Sequence, residues 1–152
     1  MYMMISVREF CVDDLKRVFE IESMSFSTTY EINLFKQLHD SGAGFLVAEK
    51  EGYVIGYILF WIKYENQGHI ISLAVDKNYR RQKAGTKLLS RAIQVLMMCD
   101  IYNIYLEVDE TNLGAVEFYK GFNFQIDRIV PHYYDNGNGA VVMYLPIIKV
   151  SD

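Results

Sequence analysis

Ser72-Leu73-Ala74-Val75-Asp76-Lys77-Asn78-Tyr79-Arg80-Arg81-Gln82-Lys83-Ala84-Gly85-Thr86 joins two kinds of periodicity. Residues 69–75 (His-Ile-Ile-Ser-Leu-Ala-Val) are apolar and rich in β-branched side chains, which predicts a strand. Beyond the join, Leu88, Leu89, Ala92, Ile93, Leu96 and Met97 recur at helical spacing, which predicts an amphipathic helix over 84–98. The first turn of a helix has backbone N–H groups without intrahelical acceptors and the positive end of the dipole, so the join suits an anion. Arg80, Arg81 and Lys83 add positive charge, and Gly85 lacks a side chain where a ligand approaches. On spacing alone, a solvated basic loop explains the stretch equally well. Neither the P-loop spacing nor the Gly-x-Gly-x-x-Gly spacing is present.

Residues 5–10 alternate as a first strand, and Asp13-Asp14 opens a helix with Leu15, Val18 and Phe19 on one stripe. A short helix over 31–38 ends at Ser41-Gly42 and Gly44. Residues 45–49 and 53–64 are strands around a turn at 50–52, and with 69–75 they form an antiparallel meander. After the helix come a strand at 104–108, a helix over 112–120 capped by Asn112, and a strand at 124–130. A Tyr-Asp-Asn-Gly-Asn-Gly turn at 134–139 and a last strand at 140–145 follow. The order is β-α-α-β-β-β-α-β-α-β-β. The strands at 69–75 and 104–108 should be parallel through a right-handed crossover, in a mixed α/β sheet.

The 152 residues are 51% hydrophobic and 22% charged, which excludes disorder and predicts a single domain spanning 1–152. A formal net charge of −4 gives no overall basic footprint for nucleic acid. The longest apolar run, 54–62, contains Gly56 and is too short to span a bilayer, and residues 1–10 lack the apolar core of a signal peptide. Cys11 and Cys99 have no metal or disulfide spacing and read as buried thiols in a reducing, cytoplasmic setting. The three histidines show no metal-ligand spacing.

Arg80-Arg81-Gln82-Lys83-Ala84-Gly85 resembles the Arg/Gln-x-x-Gly-x-Gly/Ala diphosphate loop of the GNAT acetyltransferases, with Lys83 in place of the first glycine. If that position needs a positive φ, the lysine costs on the order of 1 kcal/mol; otherwise it adds a phosphate contact. Leu106-Glu107-Val108-Asp109-Glu110-Thr111-Asn112, then Ala115, Phe118-Tyr119 and Asn123-Phe124, resembles the Leu-Glu-Val-Arg-x-Ser-Asn … Ala … Leu-Tyr … Gly-Phe pattern of RimI-type and NatA-catalytic-subunit-type N-terminal acetyltransferases. Asp109 replaces that pattern's arginine and Asn123 its glycine, the latter mildly because Asn tolerates the left-handed region. Residues 131–137 and Val142-Met143 resemble that group's Pro-x-Tyr-Tyr-x-Asp-Gly … Met segment. The resemblance runs from about residue 45 to 146, more weakly before.

It implies the GNAT fold: a mostly antiparallel mixed sheet with a central parallel pair and about four helices. It implies acetyl-CoA as cosubstrate, held by Leu73, Ala74, Val75, Arg80, Arg81, Gln82, Lys83, Ala84, Gly85 and Thr86, with Asn112 and Tyr119 on its pantetheine arm. Strand alternation puts Glu107 on the face opposite Leu106 and Val108, and a carboxylate there is costly unless wet, paired or working. The resemblance makes Glu107 the general base. His69 is either a solvent-edge histidine or a partner of that base, and Tyr119, which read alone is a packing residue, is by the resemblance the proton donor to the departing thiolate. Tyr133 and Tyr134 read alone are a hairpin with aromatic pairs; the resemblance makes them a clamp on the substrate, opposed by Phe26 and Tyr30. Around Thr28, several related enzymes carry an acidic residue that Ser27-Thr28-Thr29 lacks; Glu22, on the helix stripe with Val18, reads either as a nearby carboxylate in its place or, in preference, as a surface or capping residue.

The implied activity is N-α-acetylation of protein N-termini, ribosomal proteins among them, with an auxiliary subunit or a homodimer compatible with it. A small-molecule amine acetyltransferase and a non-catalytic acyl-CoA sensor are the competing readings.

Overall fold

The computed structural model describes residues 4–26, 32–63 and 66–147. Its elements are β1 (Ile5–Glu9), α1 (Leu15–Ser25), α2 (Ile32–Asp40), β2 (Gly44–Lys50), β3 (Tyr53–Lys63), β4 (Gln67–Val75), α3 (Ala84–Met98), β5 (Asn103–Asp109), α4 (Leu113–Gly121), β6 (Gln125–Val130) and β7 (Ala140–Pro146). Short 3-10 turns at Val12–Asp14 and Lys77–Tyr79 precede α1 and follow β4. The strands are hydrogen-bonded in the order β1-β2-β3-β4-β5-β7-β6. The β1/β2, β2/β3, β5/β7 and β6/β7 pairs are antiparallel, and β4/β5 is parallel. This is the mixed α/β arrangement expected, with one parallel pair.

The chain groups into two compact units. One comprises Met1–Trp61 and Ile71–Val95; the other comprises Ile62–Ile70 and Leu96–Asp152. In the first, Phe10, Val18, Ile21, Phe35, Phe45, Val47, Tyr57, Leu59 and Ala74 form a buried cluster. Phe10 stacks on Phe45 with ring centroids 4.0 Å apart. Leu88, Leu89 and Ala92 of α3 are fully buried, as their helical spacing predicts. Gly56 on β3 has the Ala74 carbonyl oxygen 3.0 Å and Leu88 Cδ1 3.3 Å from where a Cβ would stand, so any side chain there would push β4 and the helix away. In the second unit, Ile104, Leu106 and Val108 of β5 are buried while Tyr105, Glu107 and Asp109 are partly exposed on the other face.

Two expectations are corrected. Cys11 and Cys99 are exposed, because each falls outside the regular elements: Cys11 just before a 3-10 turn, Cys99 just after α3 ends at the 84%-exposed Met98. Glu22 is no surface residue; it is 1% exposed. Its Oε2 accepts from the Tyr57 hydroxyl and, at 3.3 Å, from the Ser72 hydroxyl, so donors from β3 and β4 offset the cost of burying it.

Candidate active site

Two sets of residues matter, one in each unit. In the first unit, β4 ends at Asp76, a carboxylate only 4% exposed. Its Oδ1 accepts the Asn78 N–H at 2.9 Å and its Oδ2 accepts from the Arg17 guanidinium. Arg17 also donates to the Val54 carbonyl at 2.9 Å and lies over the Tyr53 ring, 4.4 Å from its centroid. Burial pushes the Asp76 carboxyl up, but the Asn78 N–H and Arg17 outweigh it and hold the group below its ordinary value. The exit from β4 is therefore fixed before the loop begins.

Beyond it, Arg81 and Lys83 adopt the left-handed region, with φ of 65° and 67°. Lys83 thus takes the conformation that the resembled glycine would allow freely. Ala84 is buried, which seats the first turn of α3, while Arg80, Arg81, Gln82 and Lys83 are exposed. Gln82 accepts from Lys50 Nζ at 2.8 Å, and Arg80 Nε donates to the Val75 carbonyl at 3.3 Å. The first backbone hydrogen bond closing the helix is Lys87 N–H to the Lys83 carbonyl. Among the described residues, the backbone bonds outside helices and strands include none donated by residues 81–86. Consecutive N–H groups at a helix start, ringed by three cations, fit a diphosphate. Ala74 packs in the core, while Leu73 and Val75 are half-buried.

In the second unit, β4 pairs with β5 only over Gln67–Asn103, Gly68–Ile104 and His69–Tyr105. His69 therefore shares a face with Tyr105 and, one alternation on, with Glu107. His69 Nε2 lies 2.8 Å from Glu107 Oε2, and the Tyr133 hydroxyl donates to Oε1 at 3.4 Å. Burial pushes the Glu107 carboxyl up; the His69 hydrogen bond and charge, then Tyr133 and Lys63, more than offset it and hold it below the usual range. The same contact raises the Tyr133 phenol, after burial. These three side chains line a cavity of about 470 Å³. Gln67, Lys63, Tyr105, Asp127, Arg128, Val130 and Val142 line it too, and the sequence reading missed them. Tyr105 was within reach, two residues before Glu107 on one strand face.

Tyr119 is buried against Phe118 and Phe124, with ring centroids at 5.3 and 5.6 Å, and is not among the cavity-lining residues. Burial, and after it Tyr134, push its phenol well above its ordinary value, so it keeps its proton. Asn112 caps α4, its side chain accepting the Ala115 N–H at 3.1 Å. Asp109, where the resembled pattern has arginine, accepts from Thr111 and from Asn138 Nδ2 and ties the β5–α4 turn to the segment before β7. Asn123 takes φ 72°, as its glycine replacement requires. Tyr134 stands edge-on to Tyr133, with centroids 4.9 Å apart. Phe26 is partly exposed at the end of α1, and Tyr30 lies outside the described residues, as does Thr28. Among the described residues no group of His, Cys, Asp and Glu could hold a metal, and no helix is long and apolar enough to cross a membrane.

A mixed sheet with one parallel pair, a basic strand-to-helix loop and a carboxylate–imidazole cavity are compatible with an acyltransferase, and the comparisons with known proteins show that class. The chain belongs to the acetyltransferase (GNAT) family, which its residues 9–124 match and whose acyl donor is acetyl-CoA. An N-alpha-acetyltransferase of Sulfolobus acidocaldarius is 32% identical over 156 residues, covering 93% of this chain and 92% of that protein. The crystal structure of Ard1 from Thermoplasma volcanium superimposes with a TM-score of 0.91 at 28% identity, covering 95% of this chain and 99% of that one. The ribosomal-protein-S18-alanine N-acetyltransferase of Escherichia coli shares the fold, with a TM-score of 0.88 at 22% identity over 98% and 97% of the two chains.

Proposed function

We propose that this protein acetylates the N-terminal α-amine of protein chains, with acetyl-CoA as donor. The observation that carries the reading is the His69–Glu107–Tyr133 constellation in a cavity large enough for a peptide end. An α-amine loses its proton near pH 8, against about 10.4 for a lysine side chain, so a modest acceptor suffices. Glu107, held ionised, accepts that proton with His69 as its hydrogen-bonded partner. With Nε2–H donated to Glu107, the other ring nitrogen of His69 carries the lone pair. Tyr133 steadies the carboxylate, and Tyr134, edge-on to Tyr133, completes that side of the clamp on the peptide.

Acetyl-CoA supplies a thioester carbonyl carbon open to attack by nitrogen. Residues 80–86, with Leu73, Ala74 and Val75 before them, would hold its diphosphate. Tyr119 keeps a phenolic proton for the leaving sulfur. The site works within a single GNAT domain, in a cytoplasmic protein. A free α-amine peptide and the same peptide with a blocked N-terminus and an internal lysine separate this from lysine acetylation. Labelled acetyl should go to the first; equal rates on both would refute the N-α assignment. Tight acetyl-CoA binding without turnover on any amine would favour the sensor reading.

A further inference from the structure

Asp109 stands where the resembled pattern has an arginine, and the proposed transfer gives it no part. It pairs with Ala140 as Glu107 pairs with Val142, so the two carboxylates share one face of β5, a single alternation apart. What Asp109 holds is the loop 131–139 between β6 and β7. Its Oδ1 and Oδ2 accept from Asn138 Nδ2 at 3.2 and 3.1 Å, and Oδ1 also accepts the N–H and the hydroxyl of Thr111 at 2.9 and 2.8 Å. Burial pushes its carboxyl up, but the Thr111 N–H, Asn138, the Thr111 hydroxyl and Asn136 outweigh that and hold it below its ordinary value. It therefore stays an acceptor at working pH. An arginine at 109 has donors alone and could accept none of these groups.

The hold passes along the loop to Tyr133. The Tyr134 N–H donates to the Asn138 carbonyl at 3.0 Å, and the Gly137 N–H donates to the Tyr134 carbonyl at 2.9 Å. Asp109 thus grips Asn138, which grips Tyr134, the neighbour of the tyrosine whose hydroxyl reaches Glu107 at 3.4 Å. On the other side of Tyr133, His132 has φ 55°. A non-glycine residue persists in that region where its surroundings over-determine it. The end of the loop has no slack either. Gly139 donates to Glu110 Oε1 at 3.0 Å, its carbonyl accepts the Glu110 N–H at 2.9 Å, and a Cβ on it would stand 3.0 Å from the Val130 carbonyl oxygen.

We propose that Asp109 is a positioning residue for the transfer, locking the 131–139 loop so that Tyr133 stays within reach of Glu107. This rests on the N-α-acetyltransferase reading of the cavity and adds to it a residue that acts only through Tyr133. D109N turns one acceptor oxygen into a donor. On a free-amine peptide it should lose about tenfold or more in kcat/KM, mainly through the KM for peptide, with the KM for acetyl-CoA unchanged. The reciprocal pair D109N/N138D restores a donor–acceptor contact and should recover most of the loss. In a Y133A background D109N should cost less than about twofold more, a coupling that general destabilisation would not produce. Wild-type kcat/KM in D109N, no recovery in D109N/N138D, or an equal loss with and without Tyr133 would overturn the proposal and leave N-α-acetylation standing. Hydrogen exchange reads the lock without substrate: amides 132–139 should exchange faster in D109N while those of β5 stay protected. If wild type acetylates no free-amine peptide, the functional reading fails, and the exchange result alone decides the lock, unchanged rates refuting it.

Discussion

Replacing Asp76 by Ala tests whether the entry to the basic loop before α3 is held by a buried ion pair. The carboxylate has a 5%-exposed side chain and faces an Arg17 whose side chain is 15% exposed. Removing it leaves the guanidinium with the Val54 carbonyl, the Tyr53 ring and, as its remaining counter-charge, the half-exposed Glu20 carboxylate at 3.4 Å. Breaking such a pair from one side costs about 3–5 kcal/mol, the Asn78 cap included, out of a total near 5–15. At about 2–4 °C per kcal/mol for a chain of this size, Tm should fall by roughly 6–20 °C. Asp76→Asn keeps an acceptor for the Asn78 N–H and should lose less. Arg17→Met combined with Asp76→Ala should lose less than the sum of the single changes, since no orphan charge remains. The pH dependence has a definite sign. The Asp76 carboxyl lies below its unfolded value, so its contribution is full above about pH 4 and fades as pH falls further. Thermal unfolding followed by circular dichroism should therefore show the gap between wild type and D76A closing in acid. A D76A protein within about 1 kcal/mol of wild type at pH 7, or a gap that widens in acid, would refute the reasoning.

Lys83→Gly should leave Tm nearly unchanged, because relief of about 1 kcal/mol of left-handed strain is offset by the glycine's extra unfolded-state freedom. If the exposed Lys83 ammonium also reaches the diphosphate of the proposed site, the KM for acetyl-CoA should rise several-fold, and an unchanged KM would make Lys83 a mere spacer. Tyr57→Phe removes one donor to the buried Glu22 and should cost about 1–3 kcal/mol, read as a lowered Tm; a wild-type Tm would show that the hydroxyl contributes nothing. The kcat/KM profile should climb towards about pH 8, where the α-amine of the substrate loses its proton. Glu107, held low, should add no limb above pH 5, and a limb centred there would contradict its environment.

Much of this was legible in the sequence, for physical reasons that differ by element. The bounds of α3 agree with the reading because an apolar stripe at 3.6-residue spacing stops where burial stops. Asn112 announced the start of α4 because a cap is a local interaction, three residues long. Glu107 was placed on its face by alternation alone, and the parallel register then brought it to His69. The parts that were not legible depend on partners far along the chain. Glu22 shares a helix stripe with Val18, but nothing local shows that Tyr57 and Ser72 wait for it, 35 and 50 residues on. The register shift between Ile126 and Arg128 leaves no trace in hydropathy, so Arg128 was not read as a cavity residue. The exposure of Cys11 and Cys99 follows from their places just outside helical turns, which composition does not record.

Glu107→Gln on a free-N-terminus peptide tests the proton-handling role most directly. The amide preserves the shape that meets His69 and Tyr133 while removing the negative charge and turning one of the two acceptor oxygens into a donor. Acetyl-CoA affinity and Tm should stay close to wild type while kcat/KM falls by about a hundredfold or more. Unaltered turnover by that variant would mean that the carboxylate plays no part in the transfer.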